Sequence, residues 1–387
     1  MKEGWTYKKL GEVCEIIGGG TPSKNNVEYY SGSIPWATVR DMNCDILSST
    51  EYFISETALK DSSSHLIPSG EIIIATRVGL GKVCKLAQDT AINQDLKAVV
   101  PKKNDINRKF LFYYFKRNTQ KFIDNGVGAT VKGVKIKFVE EQRFPVPSLS
   151  EQQAIVSRLD SAFAQIDALK ANAEKQLEEA RKLFQAELTE AMKPKEGWEE
   201  KRMKDVYDVR DGTHDSPKYH ETGYPLVTSK NLRGGILDMS NVSLISEVDY
   251  RAINNRSKVD VGDVLFAMIG TIGNPVYVQV EPHYAIKNMA LFKVPSNQSG
   301  EFLKYYLLNE DVLLKMQTES KGTTQKFVSL GYLRNFLITI PPLSTQHQIV
   351  SRLDALSANV KRLEELQQKT LAECDALKQA MLREVFE

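Results

Sequence analysis

Four short stretches carry residue types that could bind or transform something. In "DGTHDSP" (211–217), His214 and Asp215, with His220 close behind, have the makings of a metal or acid–base cluster, although a polar surface turn has the same composition. In "VGLGKV" (78–83) Lys82 follows a glycine as in a phosphate-cradling loop. Position 76 is threonine where that loop needs glycine, and Val83 stands where a hydroxyl would bind the cation, so a strand-connecting turn is expected. "GGG" (18–20) could wrap an anion, yet no periodic helix follows it, and a flexible turn is expected. "GNPVY" (273–277) sets an asparagine amide beside a proline, a pair able to grip an amino group; the simpler expectation is a β-turn with Asn274-Pro275 at its corner. The remaining histidines, at 65, 283 and 347, are scattered, and no Ser–His–Asp set can be drawn. Cys14, Cys44, Cys84 and Cys374 lie far apart without a Cys-x-x-Cys, which argues against zinc and against a disulfide framework. Neither a catalytic set nor a metal set emerges.

The elements that must position any binding residues are more legible. With 387 residues the chain suits two to four domains, and 42% hydrophobic with 26% charged residues is ordinary for a globular protein. No run approaches eighteen apolar residues and the first ten residues hold no hydrophobic signal core, so a cytoplasmic protein with no membrane partner is expected. Net charge is only +2, which by itself decides nothing about nucleic acid. Locally, "PKKNDINRKFLFYYFKRNTQK" (101–121) carries seven basic residues and one acid among aromatics. Two readings stay open there: a phosphate-facing surface, or a helix that buries Phe110, Leu111, Tyr114 and Phe115 and leaves its lysines in water.

The chain is written twice. "LSEQQAIVSRLD" (149–160) and "LSTQHQIVSRLD" (343–354) share nine of twelve residues. "KEGW" recurs at 2–5 and 195–198, "IPWATVRDM" (34–42) faces "YPLVTSKNL" (224–232), and "SGEIIIATRVGLG" (69–81) faces "VGDVLFAMIGTIG" (261–273). "TAINQDLKAVVP" (90–101) likewise faces "YAIKNMALFKVP" (284–295), "FLFYYF" (110–115) faces "FLKYYL" (302–307), and "GATVK" (128–132) faces "GTTQK" (322–326). Collinear matches at a nearly constant offset mean a duplication of one long unit. Four segments follow: a head at 1–147, a long helix at 148–193, a second head at 194–341 and a second long helix at 342–387. Each head has short β-rich runs ("EIIIA", "DVLFAMI", "PVYVQV", "ALFKV") broken by Gly, Pro and Asn, then one helix near 105–121 or 301–316.

After Pro147 and after Pro341-Pro342, with Ser150 or Ser344 as candidate N-caps, glycine and proline vanish for about 42 residues, enough for a rod of roughly 63 Å. Apolar positions repeat every seven residues. One column reads Ile155, Ala162, Leu169, Gln176, Leu183 in the first rod and Ile349, Leu356, Leu363, Thr370, Leu377 in the second. Its companion reads Leu159, Ile166, Ala173, Ala180 and Leu353, Val360, Gln367, Cys374, Met381. Such a seam suits one partner helix, and small residues in one copy facing large ones in the other favour the two rods pairing antiparallel within the chain, with pairing between two copies of the chain as the alternative. The expected fold class is therefore α+β: two similar mixed α/β heads separated by two long antiparallel coiled-coil helices about an intramolecular pseudo-twofold.

Two unequal heads at a set separation suit an extended ligand with its own repeat. Double-stranded DNA shows the same face about every 34–36 Å. Basic and amide residues flanked by turn residues are then the expected contacts: Thr21, Lys24, Arg40, Arg77, Lys132 and Lys135 in the first head, and His214, Lys218, Lys230, Arg233, Lys287, Gln325 and Lys326 in the second.

"GGGTP" (18–22), "PSGEIIIA" (68–75), "GTTQK" (322–326) and above all "PLSTQHQIV" (342–350) resemble the specificity subunits of type I restriction–modification systems, and the resemblance spans essentially the whole chain. It implies two target recognition domains, each reading half of a split DNA sequence across an unread gap. It also implies that no cofactor is bound by this chain: S-adenosylmethionine would sit on two methyltransferase subunits, and ATP, Mg and the nuclease on restriction subunits. The first head departs from the second at "GATVKG" against "GTTQKF", so loop contacts do not carry from one half to the other. Two other classes remain. A self-contained DNA adenine methyltransferase would need an intact Asn-Pro-Pro-Tyr loop, but Val276 replaces the second proline and the collinear "GKVCK" has neither residue. A coiled-coil structural adaptor would have heads indifferent to sequence.

Overall fold

The structure is a computed structural model that describes residues 4–270, 272–319 and 327–387. It divides into two compact units, one holding the chain as far as Ala173 together with Gln368–Glu387, the other Glu174–Gln367. Both long helices, Leu149–Ala191 and Leu343–Phe386, are therefore shared between units rather than forming segments of their own.

In the first unit a five-stranded sheet runs in the order Cys14–Gly18, Leu96–Pro101, Ile72–Ala75, Val83–Leu86, Ile46–Leu47. A four-stranded one runs Tyr52–Ile54, Ile34–Ala37, Thr90–Ile92, His65–Ile67. The second unit repeats the plan with Asp208–Asp211, Met289–Lys293, Val264–Ala267, Gly273–Tyr277, and with Ser243–Ile245, Tyr224–Thr228, Ala285–Lys287. Even the parallel pairing recurs, between Ile34–Ala37 and Thr90–Ile92 and between Tyr224–Thr228 and Ala285–Lys287. The central strands are apolar at every position because both faces are covered. Ile72 and Ile74 join the core under the head helix, whereas Ile73 and Ala75 point into a second core. Val264 and Phe266, then Leu265 and Ala267, divide in the same way.

The helix Arg108–Asp124 buries Phe110, Leu111, Phe112, Tyr113, Tyr114 and Phe115. Four of its five cations are engaged by acids: Arg108 pairs with Glu71 at 2.6 Å, Lys109 with Asp160 at 2.7 Å, Lys116 with Asp45 at 2.5 Å, and Arg117 with Glu387, while Lys121 is exposed. In the second unit the single expected helix is two, Gly300–Leu308 and Glu310–Thr318. Asn309 breaks them apart. Its backbone is extended and its side chain accepts hydrogen bonds from the Asp311 and Val312 amides, so an N-cap interrupts the periodic run.

The duplicated dozen residues bolt each long helix to a head. Gln152 is fully buried; its Nε2 donates to the Asp105 and Pro147 carbonyls at 2.9 and 3.0 Å, and its Oε1 accepts from the Asn107 amide at 2.8 Å. Gln346 does the same with the Pro341 carbonyl, Gln298 Oε1 and the Ser299 amide. Two turns further on, the Tyr113 hydroxyl donates to Asp160 and the Tyr305 hydroxyl to Asp354, each at 2.5 Å. Leu159 and Leu353 are 0% exposed in the respective cores, a burial worth roughly 1.5–3 kcal/mol apiece. The caps lie earlier than Ser150 and Ser344: Ser148 Oγ accepts from the Glu151 amide, and the Pro342 carbonyl accepts from Thr345 and Gln346.

Within each unit the long helices pair antiparallel. Arg158 meets Glu384 at 2.9 Å, Lys378 meets Asp167 at 2.5 Å and Lys170 meets Asp375 in the first unit. In the second, Arg181 meets Glu364 at 2.6 Å and Arg352 meets Glu187 at 2.5 Å. The column through Leu159 and Ile166, and that through Leu353 and Cys374, is buried, and Val360 is half-buried. The companion column is displaced by one residue from the expected one. It runs through Val156, Phe163, Lys170, Leu177 and Phe184, and through Val350, Ser357, Glu364, Leu371, Lys378 and Val385. Ile155, Ile349 and Leu356 are half-buried beside it, whereas Leu169, Leu363 and Leu377 face outward at 52%, 36% and 51% exposure. Charged side chains inside the seam hid its phase: their stems cover apolar surface while their heads pair at the rim, as Lys378 does over the Phe163 ring at 5.2 Å.

Candidate nucleic-acid interface

In each head a glycine lets two distant segments cross at backbone contact. A Cβ at Gly19 would lie 2.2 Å from the Asn93 carbonyl oxygen, and one at Gly212 would lie 2.5 Å from that of Ile286. Only glycine fits such a crossing. "GGG" is thus a tight crossing rather than a flexible turn or an anion cradle. The residues that follow are held by matching bonds, Gly20 N–H to the Ile92 carbonyl and Thr213 N–H to the Ile286 carbonyl, both 3.0 Å.

Immediately beyond the crossing, the two heads place different side chains in the same relation. The Thr21 hydroxyl donates to Gln94 Oε1. In the second head His214 Nδ1 lies 2.9 Å from Asn288 Oδ1 and its Nε2 lies 2.8 Å from Asp211 Oδ2. Both partners are acceptors, so the imidazolium satisfies both, and the contacts with Asn288 and then Asp211 raise the His214 pKa above its ordinary value. The wall next to the crossing is also shared. Thr38 N–H and Oγ1 both donate to Asp41, at 2.7 and 2.9 Å, and Thr228 N–H and Oγ1 both donate to Asn231, at 2.9 and 3.0 Å. This turn carries Arg40 in one head and Lys230 in the other.

In the first head these pieces enclose a concavity of about 650 Å³ lined by Thr21, Lys24, Arg40, Gln94 and Asp95, with the aromatic rings of Tyr30, Trp36 and Tyr52 behind. Arg77 is held at its edge by Asp95 at 3.5 Å. Lys132 and Lys135 flank the segment whose Val134 amide donates to the Thr76 carbonyl at 2.8 Å, next in sequence to Arg77, and neither lines the concavity itself. In the second head Lys218, Lys230 and Arg233 are exposed, with Arg233 Nε donating to the Lys230 carbonyl at 3.0 Å. Lys287 departs from expectation: it is 8% exposed and its ammonium donates to Ser216 Oγ at 2.7 Å, so it buttresses the loop from inside instead of meeting a ligand. Gln325 and Lys326 lie outside the described residues. Among the described residues, no ion pair engages Lys24, Arg40, Lys132, Lys135, Lys218 or Lys230. Sequence reasoning missed Gln94 and Asn288; the only signal was their alignment in the "TAINQ"/"YAIKN" repeat.

The decoys resolve structurally. "GNPVY" is the strand Gly273–Tyr277, entered through a bulge at Asn274 (φ 49°), with Pro275 and Val276 buried, and not a β-turn. "VGLGKV" connects Ile72–Ala75 to Val83–Leu86 with Gly79 and Gly81 at positive φ. His214 engages neither Asp215 nor His220, and among the described residues no group of three His, Cys, Asp or Glu is placed to hold a metal. Burial pushes the Cys14 and Cys84 thiols up to about 12, which leaves them inert. No helix among the described residues is long and apolar enough to cross a membrane.

Two heads built on one plan with unlike residues at the crossing define a duplicated recognition protein. The chain belongs to the family of the type I restriction modification DNA specificity domain, whose model matches residues 2–179 and again 195–372. It is 28% identical over 388 residues to the type I restriction enzyme MjaIX specificity subunit of Methanocaldococcus jannaschii, covering 90% of this chain and 86% of that protein. It is 38% identical over 168 residues to the EcoR124I/EcoR124II specificity subunit of Escherichia coli, covering 41% of each. Its fold matches a chain from a study described as the structural basis of complex assembly and conformational transition of the type I R-M system. That match has a TM-score of 0.78 at 20% identity and covers 100% of this chain and 98% of the other.

Proposed function

We propose that this chain is the DNA sequence-recognition subunit of a type I restriction–modification complex, each head reading one half of an asymmetric bipartite target. The observation that carries this reading is the conserved crossing with divergent occupants: the same backbone bonds present Thr21 with Gln94 in one head and His214 with Asn288 in the other. A scaffold with no reading role has no reason to keep that frame while changing its contents. Unpaired cations around the concavity supply sequence-independent attraction to phosphates.

In this reading the chain is not itself an enzyme. Two methyltransferase subunits carry S-adenosylmethionine, restriction subunits carry ATP, Mg and the nuclease, and the helices Leu149–Ala191 and Leu343–Phe386 serve as their docking elements and set the unread gap. The buried positions of Pro275 and Val276 speak against an amino-group grip in this chain, hence against a self-contained methyltransferase.

Methylation-sensitive sequencing of host DNA with and without the gene tests the reading. A split methylated motif that disappears with the gene is expected, and exchange of residues 1–147 for another head should alter one half of that motif. An unchanged motif after the exchange would favour the structural adaptor, and stoichiometric S-adenosylmethionine binding by the purified chain would favour the enzyme.

A further inference from the structure

We infer that Gln94 and Asn288 are equivalent base-reading amides, one in each head, held in register by Thr21 and His214; this rests on the DNA-reading function proposed above. The two amides fall at the same place in the duplicated segments "TAINQDLKAVVP" and "YAIKNMALFKVP". Gln94 lies two residues beyond Thr90–Ile92 and Asn288 one residue beyond Ala285–Lys287, the strands that form the parallel pair of each head, and each is met by the side chain that leaves the glycine crossing.

An isolated surface amide rotates freely and discriminates poorly. These two do not rotate freely. Gln94 is exposed on the wall of the first head's concavity, and its Oε1 is engaged by the Thr21 hydroxyl. Asn288 sits at φ 53°, a left-handed conformation that asparagine tolerates better than most residues, and Ser229 Oγ donates to its carbonyl at 2.8 Å. Its Oδ1 is engaged by His214, which Asp211 fixes from the other side. With one lone pair of each amide oxygen already engaged by its neighbour, the two N–H bonds are the larger part of what the amide offers outward. Donors suit the major-groove acceptors of purine N7, guanine O6 or thymine O4, and not the amino group of cytosine. The neighbouring cations, Lys24 and Arg40 in one head and Lys230 in the other, attract phosphate without regard to sequence. The neutral amides add to that attraction a fixed donor pattern that carries base information.

The test uses the full-length chain with its modification partners in a host lacking the native gene, read out by sequencing of methylated sites. Gln94→Ala should relax one position in one half-site, raising methylation of wrong-base sites there by roughly five- to hundredfold and leaving the other half unchanged. Asn288→Gly, which accepts the left-handed backbone, should do the same in the opposite half. Gln94→Glu has the same size but only acceptors, and should shift the preference at that same position toward cytosine. Lys24→Ala should lower methylation at all sites and leave the motif intact. If Gln94→Ala abolished methylation, the Gln94→Glu motif decides. An unaltered motif in Gln94→Glu and Asn288→Gly, with the wild-type motif still dependent on the gene, overturns this inference alone. A wild-type motif that persists without the gene overturns the DNA-reading function itself.

Discussion

Replacing Gln152 by leucine, which is close in volume, removes three hydrogen bonds at a site with no access to water. The Asn107 amide would be left as a buried, unsatisfied donor, at about 1–3 kcal/mol, and the Asp105 and Pro147 carbonyls would each lose a partner, so the junction should weaken by about 2–4 kcal/mol. Because the protein has two compact units, a single melting curve would blur the effect. Hydrogen exchange is the better assay. Amides of 105–112 and 149–156 should exchange between about thirtyfold and several hundredfold faster, with the matching peptides at 297–304 and 343–350 as internal reference. Gln346→Leu should reverse the pattern. Unchanged exchange at Asn107, or an equal rise in the reference peptides, would refute the role given to this glutamine.

Other outcomes follow from the same geometry. Gly19→Ala and Gly212→Ala should each destabilise by at least about 1–3 kcal/mol, seen as a lowered Tm, because the new Cβ meets backbone oxygen. Leu177→Ala should cost about 2–5 kcal/mol in denaturant unfolding while Leu183→Ala, at 64% exposure, stays within about 0.5 kcal/mol; equal losses would contradict the displaced seam. His214 has a raised pKa, so its link between Asp211 and Asn288 is fully present below the unfolded-state value near 6.5 and is lost as pH rises through the folded-state value. NMR titration should show this. Asp211→Asn, which also removes the partner of Arg256, should lower that pKa, and His214→Gln should flatten the pH dependence of second-half recognition.

The duplication, the strand runs and the two long helices are legible in the sequence because each leaves a local or periodic trace. What is illegible depends on partners far along the chain. Gln152 looks like one more helix-surface glutamine until Asn107 and Asp105 close over it. The phase of the helix seam is masked because Lys170, Glu364 and Lys378 occupy positions that apolar counting assigns to leucine. The break at Asn309 is visible only as a capping residue, since the apolar period continues across it. Gln94 and Asn288 are the clearest case: their significance lies in meeting Thr21 and His214 more than seventy residues away.

Leu382, Val385 and Phe386 belong to the core of the first head, where the Phe386 ring lies 5.0 Å from that of Phe110. The second unit is contiguous in sequence, but the first is not. On a ribosome, then, the head that emerges earliest is the one that finishes latest: its aromatic interior stays open until residues made some two hundred positions later arrive to seal it. A late frameshift or stop within the closing turns would thus injure the part of the protein translated first.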